Sequence, residues 1–500
     1  MTLLTSILSL WLVPCALLVS ADSYHSKPIE LVRDVAIIGG GASGTYAAVR
    51  LREDLNKSIV LIEPQSNLGG HTNTYRVPGT NYTIDFGVQS YLPYGPALEF
   101  FARFGITTQP FVPKRLTALN VDVETGKELK GYITPSANAT NEAFKRWLDI
   151  TSKYKEMLEP GYWDFPLPSA IPEDFLTPFV EFAKKYEIEA AIPRILAISG
   201  AGYGGLRHLI TLNIFQAFGY SLTKGMLNDL LSSHLPLRQT RAYENIDIID
   251  GTLFQPIDNN GLLYQRALAL LRSDVLLSSF VQDAKRTSNG VELSVKQGDT
   301  EYTIKARRVL YTAGPSLENL APFHPDSKET AVFSNWTSGA EFVGVIKAPC
   351  IPENYSITYL PSAVVPSNQF ALKDWPYSLR LDSTGPSGQG LFRVVFGANY
   401  TLSEAGFKDL TMKSIEKLHS AGTIAGTCAT EFKAVSNHTR PQWKETAAIL
   451  KKGFVQDLYG LQGYKSMWYT GYAWAVPYSS TIWAFTDTVL DRLLVDLKSS

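Results

Sequence analysis

Cysteine is scarce in this chain: Cys15, Cys350 and Cys428 are the 3 in 500 residues. Their spacing matches neither a zinc knuckle nor a CxxC redox pair, so no metal site and no thiol redox centre is expected. An excess of one charge is missing too. Lys and Arg number 46 against 47 Asp and Glu, and no basic run breaks the balance. A nucleic-acid partner needs a basic stripe, so that class is excluded. Beyond residue 19 there is no long hydrophobic run, so no stable membrane span is expected. The chain has no G-x-S-x-G nucleophile elbow, its histidines are scattered, and it carries neither internal repeats nor low-complexity tracts.

Residues 3–19 are apolar, and Val19-Ser20-Ala21 offers a small-residue cleavage site before Asp22. Residues 1–21 therefore read as a signal peptide, although no Lys or Arg precedes the apolar stretch; an uncleaved anchor is the alternative. Sequons at Asn56, Asn81, Asn138, Asn335, Asn354, Asn399 and Asn437 agree with a secreted or secretory-pathway protein. In that compartment Cys350 and Cys428 either pair or stay as two buried thiols, and the sequence leaves both open.

Val35-Ala36-Ile37-Ile38 reads as a buried strand, and a glycine turn follows with Gly39, Gly41 and Gly44 at the G-x-G-x-x-G positions. The first glycine permits the tight turn, the second lets backbone approach a pyrophosphate, and the third lets helix and strand pack closely. Ser43 lies within the turn, and the helix opening at Thr45 offers free N–H groups to phosphate. A second apolar strand, Ser58–Ile62, ends in Glu63, where a βαβ unit puts the carboxylate that takes a ribose hydroxyl. A carboxylate there repels a 2′-phosphate, so NADP is disfavoured. These residues predict a dinucleotide cradle.

After Glu63 comes Leu68-Gly69-Gly70-His71, and here the chain resembles the flavin amine-oxidase-like family. The resemblance implies FAD as the cofactor, with Gly69 and Gly70 against it and His71 on a phosphate or beside the flavin. It further implies that Gly87 and Gln89, in Thr83–Gln89, reach the flavin ring. It assigns the backbone of Val281 to adenine and Gly314 to the strand returning to the cofactor. At the C-terminus it places Gly471, Ser480 and Thr481 at the flavin, with Ser479 and Ser480 as N-cap types for a helix aimed at the ring. Gly471-Tyr472 stands where amine oxidases commonly have Gly-Asp, which weakens any claim for an amine substrate. Gly-Gly-Gly-Ala-Ser-Gly-Thr-Tyr and Tyr-Thr-Gly-x-Ala-Trp…Ser-Ser-x-Ile-Trp resemble more closely the secreted fungal flavoproteins related to β-cyclopiazonate dehydrogenase.

Cofactor motifs at the start, middle and end require a discontinuous domain. The expected fold is α/β (α+β overall), with a Rossmann-type FAD-binding domain from 30–95, 245–330 and 460–500. A mixed sheet-and-helix substrate domain takes 96–244 and 331–459. Residues 140–240 read as largely helical, including 173–185 and 206–219. Strands are expected at 338–348 and 389–398, and a helix at 408–419. Trp474 and Tyr478, with Trp468 and Tyr469, read either as a clamp for a flat substrate or as core. Arg207-His208, after Gly204-Gly205, reads either as a lining of the site or as a helix surface, the second favoured. No residue is singled out as catalytic base, and the oligomeric state stays open. The resemblance implies an FAD-dependent oxidoreductase acting on a small apolar or aromatic molecule by hydride transfer to flavin N5, in natural-product metabolism, with ring closure as one outcome. The alternatives are an amine or thioether oxidase releasing H2O2, and a non-catalytic escort protein.

Overall fold

The structure is a computed structural model that describes residues 27–232, 252–426, 429–439, 441–443 and 446–499. The expected signal peptide and Cys428 lie outside the described residues.

The first sheet has seven strands. At its centre strand β1 (Ile29–Ile38) pairs in parallel with β2 (Ile59–Ile62) on one side and with β3 (Thr300–Tyr311) on the other. Val35–Ile37 and Ile59–Ile62 are buried, as a parallel strand covered on both faces demands. β1 runs much longer than its apolar stretch. Its first half, with exposed Ile29 and Val32, is strand only because it pairs residue by residue with β3. The short strand Val275–Leu276 closes one edge beside β2. On the other side Gly290–Gln297 pairs antiparallel with β3, and Ser279–Thr287 pairs with Gly290–Gln297 at the edge. The strand Met467–Tyr469 continues beside the end of β3.

Helix α1 (Ala42–Val49) follows the glycine turn and goes on as a π turn over Arg50–Asp54. Small residues make it buriable on all sides: Ser43 through Val49 are all buried. The C-terminal helix α2 (Ser479–Ser499) packs along α1. Trp483 Nε1 donates to the Ala42 carbonyl at 3.0 Å, and Asp487 receives the Tyr46 hydroxyl at 2.8 Å and Arg50 Nε at 3.1 Å.

The second sheet has six strands in the order 431–437, 340–347, 391–398, 377–384, 355–360 and 117–122. One face carries Phe342, Ile346, Phe392, Val394 and Phe396 against the helix Glu404–Ser420. The opposite face carries Val343, Val345 and Leu391 against Val77, Ile84 and Phe86 of a two-stranded hairpin. That contact joins the two halves of the molecule.

Two helix expectations change. The stretch 173–185 is two short helices, Glu173–Leu176 and Phe179–Lys185, because Pro178 cannot continue the first. The stretch 206–219 is a single 3-10 turn at Leu206–His208 followed by a helix at Thr211–Ala217. Arg207-His208 thus sits on that 3-10 turn. The helix expected at 408–419 begins earlier, at Glu404, where Ser403 accepts the Gly406 amide at 3.1 Å as its cap. No helix among the described residues is long and apolar enough to cross a membrane, and none of their His, Cys, Asp or Glu side chains cluster as metal ligands.

Candidate functional site

The glycine turn is held by contacts that leave no space for side chains. Gly39 has φ +102°, a conformation that L residues rarely adopt. A Cβ on Gly44 would lie 1.9 Å from the Gly39 carbonyl oxygen, so helix and strand touch through hydrogen alone. Thr312, just past β3, closes the turn from the other side: its hydroxyl donates to the Ile38 and Gly39 carbonyls at 2.9 Å. Thr312 belongs to no sequence motif, and only its position at the end of a predicted strand marks it.

Glu63 does more than the sequence suggested. Its buried carboxylate accepts the Gly40 amide at 2.6 Å and the Gln65 amide at 2.8 Å, tying the glycine turn to the end of β2. Burial raises its pKa, and those two N–H groups oppose the rise. The Gly69 amide donates to the Gly40 carbonyl at 2.9 Å and brings the glycine doublet onto the turn. A Cβ on Gly70 would lie 3.0 Å from the Gly41 Cα. Gly41 and Gly70 therefore face each other as bare backbone beside the first turn of α1, whose N–H groups have no intrahelical partner. Gly471, at φ +116°, comes in from the far end of the chain: a Cβ there would meet the Thr312 carbonyl at 3.2 Å and Ser43 Oγ at 3.3 Å.

Around this cradle the other expected residues take distinct places. Val281 is buried next to the end of β2, since the Ser279 amide donates to the Glu63 carbonyl at 3.0 Å. Gly314 lies past Thr312, its carbonyl accepting the Asn319 side-chain amide at 2.9 Å. His71 and Gly87 are adjacent: a Cβ on Gly87 would be 2.1 Å from the His71 carbonyl oxygen. The His71 ring stacks on His438 at 4.3 Å between centroids, and His438 Nε2 lies 2.7 Å from Asn73 Oδ1. The Gln89 side-chain amide is turned onto the Asp85 and Gly87 carbonyls of its own loop. Asp85 accepts the Thr74 hydroxyl and the Asn260 amide, and burial raises its pKa.

At the C-terminal end α2 begins at Ser479, so Ser479 and Ser480 are its first residues rather than its cap. Ser480 Oγ is buried with no hydrogen-bond partner. A buried hydroxyl without a partner at a helix start fits a ligand acceptor there, as does the cradle that any Cβ would fill. Thr481 is different: its hydroxyl is spent on the Val476 and Tyr478 carbonyls. Trp474 is fully buried, stacked on Tyr469 at 4.8 Å between centroids, and sits in the core rather than on an open face. The Tyr478 hydroxyl donates to the Ala217 carbonyl.

One link was invisible in the sequence. Arg393, on the strand Leu391–Ala398 of the second sheet, donates Nε to the Phe86 carbonyl at 3.0 Å and Nη2 to the Gly87 carbonyl at 3.3 Å. It fixes one face of that sheet to the Thr83–Gln89 segment.

Residues 37–104 match the NAD(P)-binding Rossmann-like domain. Among solved structures, a fatty acid isomerase from P. acnes that produces CLA superposes with a TM-score of 0.69 at 15% identity, covering 92% of this chain and 98% of that one. A putrescine oxidase variant superposes with a TM-score of 0.60 at 15% identity, over 93% of this chain and 100% of that one. These likenesses show the fold. Among curated proteins, β-cyclopiazonate dehydrogenase of Aspergillus oryzae is 29% identical over 92% of this chain and 93% of its own length. The FAD-dependent oxidoreductase pigF of Monascus ruber is 32% identical over 94% of this chain and 93% of its own length. With that identity along nearly the whole of both chains, and a cradle whose parts come from both ends of the sequence, this protein belongs to the fungal FAD-dependent oxidoreductases.

Proposed function

We propose that this protein oxidises a small, largely apolar or aromatic molecule by hydride transfer to flavin N5, in secondary metabolism, with oxidative ring closure as one outcome. The observation that carries the reading is the Arg393 tie, which holds a face of the second sheet against the Phe86-Gly87 carbonyls. A substrate lying on that face is held beside the segment that the family resemblance assigns to the flavin ring.

FAD, when bound, supplies the two-electron acceptor. The chain supplies the rest. Gly41, Gly70 and the first turn of α1 present backbone N–H groups and space to a diphosphate. Glu63 holds the turn in shape and keeps a carboxylate at the ribose end. Ser480 brings an unspent hydroxyl to the start of α2, whose positive end favours negative charge. The buried ring stack of Tyr469 and Trp474 supports the C-terminal strand-to-helix turn and keeps water from it. The names of the relatives support a place in secondary metabolism. Cys350 is disulfide-bonded, which with the sequons supports a secretory route.

The test is anaerobic mixing of the purified, flavin-loaded protein with two panels of donors, one aromatic or apolar and one of alkyl amines. Bleaching of the flavin band by aromatic donors, and not by amines, is expected. Bleaching by amines alone, with peroxide released on admitting air, overturns the reading.

A further inference from the structure

Beyond Arg393, the same face of the second sheet carries a group of charged side chains. Ser378, Arg380 and Asp382 stand on one strand, opposite Gly397, Val395 and Arg393 on the next. Glu341 lies opposite Gly397 on the other side. Lys373 reaches into this row from the loop before it. Its ammonium lies 4.5 Å from the centroid of the Tyr203 ring and 3.4 Å from Ser378 Oγ. No carboxylate among the described residues is within ion-pair distance of it, whereas Arg380 is paired with Asp382 at 3.0 Å.

Tyr203 is placed with care. It comes from the loop Ser199–Gly205, where Gly200, Gly202, Gly204 and Gly205 all have positive φ. Its ring packs against Gly397, where a Cβ would be 2.1 Å from the ring carbon that bears the hydroxyl. A side chain at 397 would push the ring away and remove the platform under Lys373. Lys373 and Arg393 are both half-buried, so each keeps part of its surface accessible on this face.

Charge on this face favours an anion. Lys373, Arg380 and Arg393 are cationic; Glu341 and Asp382 oppose them. Arg393 is engaged by carbonyls, and Asp382 is engaged by Arg380 and by the Ser356 hydroxyl at 2.6 Å. Lys373 meets no carboxylate at ion-pair distance among the described residues and, beyond its bond to Ser378, keeps two of its three donors. From Ser378 to Asp382 the strand runs roughly 14 Å, so Lys373 stands about that far along the face from the Gly87 end.

We propose that Lys373 is a specificity-determining residue that receives an acidic oxygen of the substrate, a carboxylate, enolate or phenolate, at the end of this sheet face opposite Gly87. This rests on the reading that the substrate lies on this sheet face. Lys373 would fix the acidic end and leave the apolar remainder to reach the ring. An alkylammonium substrate would be repelled by the same charge.

Burial, reinforced by Arg380, lowers the Lys373 pKa to about 8, while Glu341 opposes the drop. The groups facing it are thus Arg380 and Glu341 from the sheet and the Tyr203 ring from the loop. Anion binding should fade as pH rises through about 8.

The probes are benzoate and its neutral counterpart benzamide, titrated calorimetrically into the flavin-loaded protein. Benzoate should bind about tenfold or more tighter than benzamide below that pH. The preference should vanish in Lys373→Met, persist in part in Lys373→Arg, and survive in Tyr203→Phe, which keeps the ring. Equal affinity for the two probes, or a preference that Lys373→Met retains, overturns the proposal. Flavin content, measured on every variant, separates a failed fold from a lost anion site. A protein that holds flavin but ignores benzoate refutes the role of Lys373 alone; a panel of donors that bleaches nothing refutes the oxidative reading.

Discussion

Gly44 has no room for a methyl group. Its missing Cβ would overlap the Gly39 carbonyl, so Gly44→Ala must push α1 off β1 or open the turn. We expect Gly44→Ala to lose at least about tenfold in bound flavin at equal protein, read from the visible spectrum. Gly79→Ala is the control: Gly79 also has positive φ but nothing within 4 Å, so it should lose only about 1 kcal/mol of stability and keep its flavin. Wild-type flavin content in Gly44→Ala would contradict the close-packing account. At this scale much was legible in the sequence. The G-x-G-x-x-G spacing, Glu63 and the Gly69-Gly70 doublet are local patterns whose reasons are backbone reasons. Thr312 was not legible, because a threonine after a strand looks like any other until the strand is seen to pair with β1.

Among elements, α2 shows how a local pattern is completed by distant residues. Its start at the Ser-Ser pair was readable, but its anchoring was not. Asp496, near its end, accepts Arg308 Nε at 2.6 Å and Arg308 Nη2 at 2.7 Å, and the Trp468 indole at 2.9 Å. The Arg308 hydrogen bond holds the Asp496 carboxyl below the usual aspartate range. The folded pKa is depressed, so the carboxylate stabilises above the ordinary aspartate value, 3.8, and that stabilisation is lost as pH falls through the lower folded value. Asp496→Asn should therefore cost about 1–3 kcal/mol at neutral pH, with a shrinking difference from wild type in acid. Thermal melts at neutral and acid pH check this; a constant difference at both would count against it. β1 makes the same point in the opposite direction. Its apolar half announced itself, and its exposed half became strand only through β3, which lies far along the chain. Pro178, in turn, broke a helix that amphipathic spacing alone had drawn as continuous.

The whole molecule depends on contacts between the second sheet and the segment Thr83–Gln89. Arg393 carries one of them, and its removal leaves the Phe86 and Gly87 carbonyls without that donor. In Arg393→Met we expect amide exchange at Asp85–Val88 to speed up by about tenfold or more, while exchange at Gly39–Thr45 stays as in wild type. Equal acceleration at both sites would mean general destabilisation rather than a lost tie.

The sequence by itself determined the dinucleotide cradle and its discontinuity, because glycine spacing, an acid at a strand end and the Ser-Ser start of a C-terminal helix are written in consecutive residues. Only the tertiary structure decided what faces that cradle. Arg393, His438, Tyr203 and Lys373 lie on separate strands and loops, and no periodicity in the chain links them. The second sheet brings Arg393 to Phe86 and Gly87 and holds Lys373 and Tyr203 farther along the same face, while His438 stacks on His71, and that placement depends on register and packing across the whole chain.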